Sequence, residues 1–249
     1  MNIAIIGAGG LLGSNLFKYY VNHKFNVRSF SRSDYDNIDN KYNSIINFND
    51  LYNSLNKEFK TFKPDIVINA IAIVNLQKCE EDYALCTEIN VNIAKDIAKV
   101  SLLHKSYFIH VSTDNFYNDL KIKHNETDTV TTLNNYAKSK YLAEQELMKI
   151  SENLLIVRTN IIGFRKNKID SFFEWLLKSL IDGADIELFN DFLTSPIAIN
   201  LLAPILIQCY ERRIYGIYNI ASSETIDKYR FGVKVADIFE IKNILIKSI

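Results

Sequence analysis

A tyrosine and a lysine on one helical segment have the spacing that proton transfer requires. Tyr136 and Lys140 are four residues apart, so a helix places both side chains on one face. An ammonium beside a phenol lowers the pKa of the phenol, and such a phenol can protonate an alkoxide. Upstream, Ser112 and Thr113 follow an apolar segment typical of a strand, at the edge where open α/β sheets bind ligands. We predict Thr113, Tyr136 and Lys140 as catalytic residues, because the combination is more specific than a tyrosine–lysine pair on a helix surface.

A glycine-rich turn near the N-terminus predicts a phosphate-binding site. Gly7, Gly10 and Gly13 have the spacing G-x-x-G-x-x-G, directly after an apolar strand segment and before an apolar-periodic helix. The first glycine permits the tight turn, the second lets backbone amides approach a diphosphate, and the third lets the helix pack on the strand. The helix N-terminus then faces the negative charge. A glycine-rich turn without a ligand is the alternative interpretation.

The end of the second predicted strand bears on the choice of cofactor. Ser31 and Arg32 stand where an acidic residue would bind a ribose hydroxyl. A guanidinium can instead pair with a 2′-phosphate through two hydrogen bonds. The pattern favours NADP(H), with NAD(H) as the second choice, and a solvated loop arginine is the alternative interpretation.

The elements that must position these residues alternate between short apolar runs and longer amphipathic runs, which is typical of βαβ units. We predict strands at residues 2–6, 26–31, 44–47, 65–70, 106–112 and 153–159. Helices are predicted from residue 11 to about residue 20 and over residues 50–62, 79–104 and 135–150. After Gly163, helices 171–180 and 199–210 alternate with strand-like pieces at 186–189 and 216–220. The predicted fold class is α/β, a doubly wound Rossmann-type parallel sheet with a smaller, interleaved C-terminal lobe.

Composition narrows the functional classes. The 249 residues include 29 basic and 29 acidic ones, so the net charge gives no basis for nucleic-acid or membrane binding. No apolar run approaches the ~20 residues of a membrane span. The cysteines (Cys79, Cys86 and Cys209) form no C-x-x-C motif, and we expect them to be reduced in a cytoplasmic protein. The four histidines lack metal-ligand spacing, so no metal site is predicted.

These features together resemble an extended short-chain dehydrogenase/reductase, specifically the dTDP-4-dehydrorhamnose reductase-like branch. The matching segments cover nearly the whole chain and lie at residues 1–13, 63–72, 78–80, 89–91, 111–114, 135–140, 143–144, 157–159, 190–191, 195–196 and 216–219. The resemblance implies an NAD(P)-binding Rossmann domain at residues 1–160. It implies an interleaved substrate-binding lobe at residues 161–249, several tens of residues shorter than the family pattern.

The resemblance also implies roles for individual residues. Backbone amides of the glycine turn would bind the diphosphate, Asn47 and Phe48 would contact the adenine, and residues 70–72 would line the nicotinamide side of the groove. The catalytic triad would be the three residues predicted above, and Asn90 would be the structural asparagine of the long helix. The full predicted cofactor-binding set is Gly7, Gly10, Leu11, Leu12, Gly13, Ser31, Arg32, Asn47, Phe48, Ala70, Ile71, Ala72, Tyr136 and Lys140.

The function implied by the resemblance is an NADP-dependent reductase of a nucleotide-linked 4-keto (deoxy)sugar in surface polysaccharide biosynthesis. A sugar-nucleotide epimerase and a non-catalytic NADP-binding regulatory subunit are the alternatives. A 4,6-dehydratase is disfavoured, because Asn115 stands where those enzymes have a glutamate. Ile73 and Val74 replace a tyrosine and a threonine of the family pattern, and the family tryptophan after Thr159 is missing, so the sugar is left open. The expected partners are a nucleotide-sugar substrate and a second copy of the chain in a homodimer.

Overall fold

A seven-stranded parallel β-sheet forms the centre of the computed structural model, which describes residues 1–34, 39–117, 123–165, 170–242 and 245–249. The strands in chain order are β1 (Asn2–Ile6), β2 (Asn26–Ser31), β3 (Asn43–Ile45), β4 (Ile66–Asn69), β5 (Tyr107–Val111), β6 (Leu155–Arg158), β7 (Ile161–Ile162), β8 (Ile186–Leu188), β9 (Ile197–Ala198), β10 (Gly216–Asn219) and β11 (Ile246–Ser248). The order across the central sheet is β10-β6-β5-β4-β1-β2-β3, and every pairing in it is parallel. The strand order reverses between β1 and β4, which is where such sheets bind ligands at their carboxyl edge.

Helices cover both faces of this sheet. The helices in chain order are α1 (Leu11–Asn22), α2 (Leu51–Phe62), α3 (Leu76–Glu81), α4 (Tyr83–Thr87), α5 (Ile93–Leu103), α6 (Asn135–Ile150), α7 (Phe172–Ile181), α8 (Ile199–Glu211) and α9 (Lys228–Ile238). Side chains alternate along β1, so Ile3 and Ile5 pack under α1 and α8, whereas Ala4 and Ile6 pack under α2 and α5. The doubly wound parallel sheet predicted from the sequence is confirmed.

A separate, smaller core lies in the C-terminal lobe. Leu176 of α7, Leu188 of β8 and Val235 of α9 belong to this cluster, and β8 pairs with β11 beside it. The same stretch of chain also returns to the central sheet, because β10 pairs with β6 at its edge and α8 packs on α1. The lobe is therefore interleaved with the sheet, as predicted.

The predicted bounds of β2 and α6 agree with the structure, but the helix predicted over residues 79–104 is wrong. This segment contains α3, α4, a π-helical turn (Glu88–Asn92) and α5. Asp82 has non-helical backbone angles between α3 and α4, and its carboxylate accepts a hydrogen bond from the Leu85 amide. A side chain that caps a new helix ends the preceding one. The sequence analysis also missed α9, β7, β9 and β11.

The break at Asp82 also brings two cysteines together. Cys79 and Cys86 form a disulfide with their Cα atoms 5.3 Å apart. The expectation that all three cysteines are reduced is therefore wrong for this pair, whereas Cys209 is free and buried. Within the described ranges, no helix is long and apolar enough to cross a membrane.

Candidate active site

The structure brings Thr113 and Tyr136 into contact at the carboxyl edge of the sheet, whereas the Lys140 side chain contacts β5. Thr113 follows β5, and Tyr136 lies in the first turn of α6, which Asn134 caps by accepting a hydrogen bond from the Ala137 amide. The Thr113 hydroxyl hydrogen bonds to the Tyr136 phenol and accepts a hydrogen bond from the backbone amide of Asn115 at 3.2 Å. A hydroxyl and a phenol can thus meet one carbonyl oxygen.

The phenol of Tyr136 is held in its protonated form. Its burial raises the pKa to about 12, an effect that the Thr113 hydrogen bond opposes and the nearby Asp114 carboxylate reinforces. The four-residue spacing in the sequence predicted that Lys140 would lower the pKa of Tyr136. That expectation is wrong for the structure, because the Lys140 ammonium has other partners.

Lys140 points to the strands beneath α6. Its Nζ lies 2.8 Å from the carbonyl oxygen of Val111 and 3.1 Å from Nε2 of His110. Burial lowers the pKa of Lys140 to about 8, and the negative charge of Glu144 partly opposes this shift. Lys140 is therefore placed at the site but is coupled to β5 rather than to the phenol.

A buried ion pair fixes α6 to the sheet one turn further along the helix. The Arg158 guanidinium donates to Glu144 at 2.7 Å and 3.1 Å, and both side chains are almost fully buried. Glu144 also accepts a hydrogen bond from the Ser112 hydroxyl at 2.5 Å, and Arg158 donates to the Tyr117 phenol oxygen at 2.7 Å. The network ties the ends of β5 and β6 to the helix that carries Tyr136.

The glycine turn has the close contacts that its spacing predicts. Gly7 has φ of +96°, and a Cβ there would lie 2.8 Å from Cγ1 of Ile71. A Cβ at Gly13 would collide with the Gly7 carbonyl oxygen, so only glycine lets α1 begin this close to β1. A Cβ at Gly10 would meet only the same oxygen, at 3.5 Å, which leaves open space above the turn.

The N-terminus of α1 is suited to an anion. Gly10 is the N-cap residue, no side chain caps this first turn, and no acidic residue lies in it. The amides of Leu11, Leu12 and Gly13 can thus donate hydrogen bonds to a diphosphate, and the helix dipole favours its negative charge. These residues fit the phosphates of a dinucleotide.

The adenosine end of the predicted groove brings Arg32 and Phe48 together. The Arg32 guanidinium lies 5.9 Å from the centre of the Phe48 ring, and Arg32 is exposed. Asn47 caps the 3-10 turn that carries Phe48 by accepting a hydrogen bond from the Asn49 amide at 3.0 Å. The Ser31 hydroxyl is buried and donates within the chain, 2.6 Å from the Ser33 carbonyl oxygen. Of the two side chains predicted to meet a 2′-phosphate, only that of Arg32 is exposed.

The loop after β4, which is the predicted nicotinamide side of the groove, is fixed by hydrogen bonds to Asn90. Ala70, Ile71 and Ala72 follow β4 and are partly exposed beside the glycine turn. The backbone amide of Ile73 donates to Asn90 Oδ1 at 2.8 Å, and Asn90 in turn donates to the Ser139 hydroxyl of α6 at 2.8 Å. Asn90 lies in the π-helical turn, and it connects this loop to the helix that carries Tyr136.

A cavity of about 500 Å³ opens beside Thr113. It is lined by Asp114, Tyr117, Lys123, His124, Leu133, Arg158, Thr159, Asp191, Phe192, Leu193, Thr194, Ser195, Asn219, Ala221, Ser222, Ser223 and Thr225. The Thr159 hydroxyl is buried without a hydrogen-bond partner among the described residues. Burial raises the pKa of the Asp114 carboxyl, which accepts hydrogen bonds from Thr194 and Asn160.

None of these lining residues was predicted as a site residue. Asp191, Ser195 and Asn219 lie in segments that carried the family resemblance, and that was the available signal for them. Tyr117 and His124 stack with their ring centres 4.3 Å apart. No group of three or more histidine, cysteine, aspartate or glutamate side chains in the described ranges is placed to hold a metal ion.

Comparison with known proteins agrees with this arrangement. The family model for the RmlD substrate binding domain matches residues 1–249. The chain belongs to this family. A dTDP-4-dehydrorhamnose reductase from Aggregatibacter actinomycetemcomitans is 30% identical over 244 residues, which cover 94% of this chain and 78% of that protein. The predicted resemblance to the extended short-chain dehydrogenase/reductases is confirmed.

Solved structures of the RmlD family have the same fold. A dTDP-4-dehydrorhamnose reductase from Clostridium acetobutylicum superposes with a TM-score of 0.83 at 24% identity, over 100% of this chain and 84% of that one. The Bacillus anthracis dTDP-4-dehydrorhamnose reductase, solved in complex with NADP, gives a TM-score of 0.85 at 20% identity, over 100% of this chain and 83% of that one.

Proposed function

We propose that this protein is an NADP-dependent reductase of a nucleotide-linked 4-keto (deoxy)sugar. The observation that carries the proposal is the hydrogen bond between Thr113 and Tyr136 at the carboxyl edge of the sheet, with the 500 Å³ cavity beginning at the next residue, Asp114. The RmlD family relationship supports this substrate class, since the similar proteins are named dTDP-4-dehydrorhamnose reductases. The product would be a sugar nucleotide for surface polysaccharide biosynthesis.

The cofactor groove fits NADP(H). Gly10 and the uncapped start of α1 would hold the diphosphate, and Arg32 would pair with the 2′-phosphate while Phe48 lies against the adenine. Residues 70–72 would line the nicotinamide, which supplies a hydride to the carbonyl carbon when it is bound. NAD(H) would bind the same groove without the charge contact to Arg32.

The chain's own residues would complete the reduction. Tyr136 would donate its proton to the carbonyl oxygen, because the raised pKa keeps the phenol protonated throughout the neutral range. Thr113 would donate a hydrogen bond to the same oxygen as negative charge develops on it. Lys140 would bind the cofactor ribose, and a proton from solvent would restore the phenol after each turnover. The cavity beyond Asp114 would hold the sugar and its nucleotide.

The cellular setting and assembly are part of the same proposal. A cytoplasmic location fits a reductase whose substrates, NADPH and a nucleotide sugar, are metabolites of the cytoplasm. Residues 1–160 would act as the cofactor-binding domain, and residues 161–249 would act as the substrate lobe. Phe172 and Trp175 of that lobe are exposed at 39% and 44% and provide apolar surface for a homodimer.

The test is turnover with a panel of UDP-, dTDP- and GDP-linked 4-keto sugars. We expect NADPH to be oxidised in proportion to the alcohol formed, as followed by loss of nicotinamide absorbance and by product mass. Conversion of a sugar to its epimer without net NADPH loss would instead support the epimerase. Tight NADPH binding without turnover of any sugar would support the regulatory subunit and contradict the reductase.

A further inference from the structure

Two buried side chains without a role in the proposed reaction form a row behind Lys140. His110 of β5 and Asn69 of β4 are paired in the parallel sheet, so their side chains lie next to each other. Asn69 Nδ2 is 3.1 Å from His110 Nδ1, and Lys140 Nζ is 3.1 Å from His110 Nε2. The exposed fraction of each residue is 1% or less. Water therefore does not compete for these hydrogen bonds.

The direction of the row is set by the Asn69 amide. The backbone amide of Ile71 donates to Asn69 Oδ1 at 3.1 Å, which assigns the oxygen of the side chain to that contact. The amide NH₂ group of Asn69 therefore faces His110 and donates to Nδ1. A neutral imidazole has one donor and one acceptor nitrogen. Since Nδ1 accepts, Nε2 carries the hydrogen, and that hydrogen points at Lys140.

This tautomer favours one protonation state of Lys140. An ammonium has three donors and no acceptor, so it would place an N–H group against the Nε2–H group of His110. An uncharged amine has a lone pair that can accept this hydrogen bond. The second contact of Lys140, to the carbonyl oxygen of Val111, suits either form because both can donate.

We propose that Asn69 and His110 are positioning residues whose hydrogen bonds favour the uncharged form of Lys140. This inference deepens the proposed function. The protonation state assigned to Lys140 follows from the contacts alone, whereas its effect on catalysis rests on the proposed function. Asn69 acts through His110 and touches neither Tyr136 nor Thr113 in the contacts described above.

The charges around Lys140 agree with this assignment. Burial lowers the pKa of Lys140 to about 8, and the carboxylate of Glu144, on the same helix, opposes the shift. Arg158 of β6 pairs with that carboxylate and offsets its charge. Burial lowers the pKa of His110 well below its ordinary value, and any positive charge on Lys140 lowers it further. The imidazole is therefore neutral.

The substitution N69D tests the direction of the row with little change in shape. The new side chain keeps an oxygen for the Ile71 amide but replaces the NH₂ group that faces His110 by an acceptor. His110 should then carry its hydrogen on Nδ1 and offer Nε2 as an acceptor, which favours charged Lys140. We expect the pKa of Lys140 to rise by about 1 pH unit or more. The variant N69A, which removes the donor without adding an acceptor, should shift the pKa less.

The measurement is NMR of the full chain without cofactor, with lysine labelled at Cε and histidine labelled at both ring nitrogens. The signals are assigned as those lost in K140R and H110Q. We expect the Nε2–H tautomer of His110 and a Lys140 midpoint near 8 in the natural sequence, and the opposite tautomer with a higher midpoint in N69D. An Nδ1–H tautomer in the natural sequence would overturn the inference even if N69D failed to fold. So would an unchanged midpoint in folded N69D.

The catalytic consequence has a separate readout. If charged Lys140 is the active form, turnover should fall as pH rises through about 8, and N69D should move this alkaline limb to higher pH. An alkaline limb unmoved in N69D, despite a raised Lys140 midpoint, would overturn this consequence. Failure of every sugar to react, with the NMR result as expected, would contradict the proposed function and leave the tautomer assignment supported.

Discussion

Tyr136 carries the proton that the proposed reaction needs. Removing its hydroxyl group is therefore the most direct test of the mechanism by a single substitution. We expect Tyr136→Phe to reduce turnover by roughly 10²–10⁴-fold, the usual contribution of a general acid. NADPH affinity should change little, because the phenol acts mainly in the transition state. Stopped-flow oxidation of NADPH and calorimetric binding measure the two quantities. Tyr141→Phe, on the same helix, is the matched control and should keep full turnover; normal turnover in Tyr136→Phe would refute the assignment.

Arg32 decides cofactor preference in the proposed groove. Arg32→Ala should weaken NADPH binding by about tenfold or more and leave NADH binding nearly unchanged, since a hydrogen bond to a charged group contributes about 1.5–3 kcal/mol. Arg28, on the strand that precedes Arg32, stacks on Phe62 and pairs with Glu58, so Arg28→Ala is the control. Equal affinities for the two cofactors in the natural sequence would show that Arg32 has another role.

The residue types at the site could be predicted, but several of their partners could not. The spacing of Tyr136 and Lys140 identified a shared helix face, and the structure confirms that face. The partners of Lys140 lie on β5 and, through His110, on β4, about thirty and seventy positions away in the chain. Periodicity within one element contains no information on such contacts. The expected effect of Lys140 on the Tyr136 pKa was wrong for this reason.

The Glu144–Arg158 pair connects α6 with the ends of β5 and β6. Its contribution to the free energy of unfolding shows how firmly α6 is held to the sheet. Glu144→Gln keeps the shape of the side chain but leaves the buried guanidinium without a counter-charge. We expect it to lower the free energy of unfolding by about 3–5 kcal/mol, measured by urea denaturation. Glu224→Gln, which breaks an exposed ion pair with Lys234, should have little effect. Equal losses for the two variants would show that the buried pair has no special role.

Elements with strong local signals were predicted well, and those set by tertiary contacts were not. β2 and α6 agree with their predicted bounds, because apolar alternation and the cap at Asn134 are local features. The helix 79–104 failed because the capping role of Asp82 competes with helix continuation. α9 was missed because its buried side chains, Val235 and Ala236, find their partners on α7 and β8.

At the scale of the whole molecule, the C-terminal part of the chain completes both the sheet and the cavity. β10 forms one edge of the central sheet and ends at Asn219, which lines the cavity. Thr194, from the connection between β8 and β9, hydrogen bonds to Asp114 at the carboxyl end of β5. The carboxyl edge of the sheet is thus closed by residues far along the chain. The edge of the sheet and the cavity are therefore structurally coupled.

This coupling predicts that residues 1–160 do not fold alone. Without residues 161–249, α1 loses its packing against α8, and the apolar face that Leu202 and Leu206 cover becomes exposed. Each Å² of apolar surface exposed in this way costs about 25 cal/mol of stability. The isolated fragment should lack a cooperative thermal transition and should show unprotected amides in β5 and β6 by hydrogen exchange. Mixing it with a fragment of residues 161–249 should restore both the transition and NADPH binding. A cooperative transition in the fragment by itself would show that the first 160 residues form an autonomous domain and that the lobe is merely attached to it.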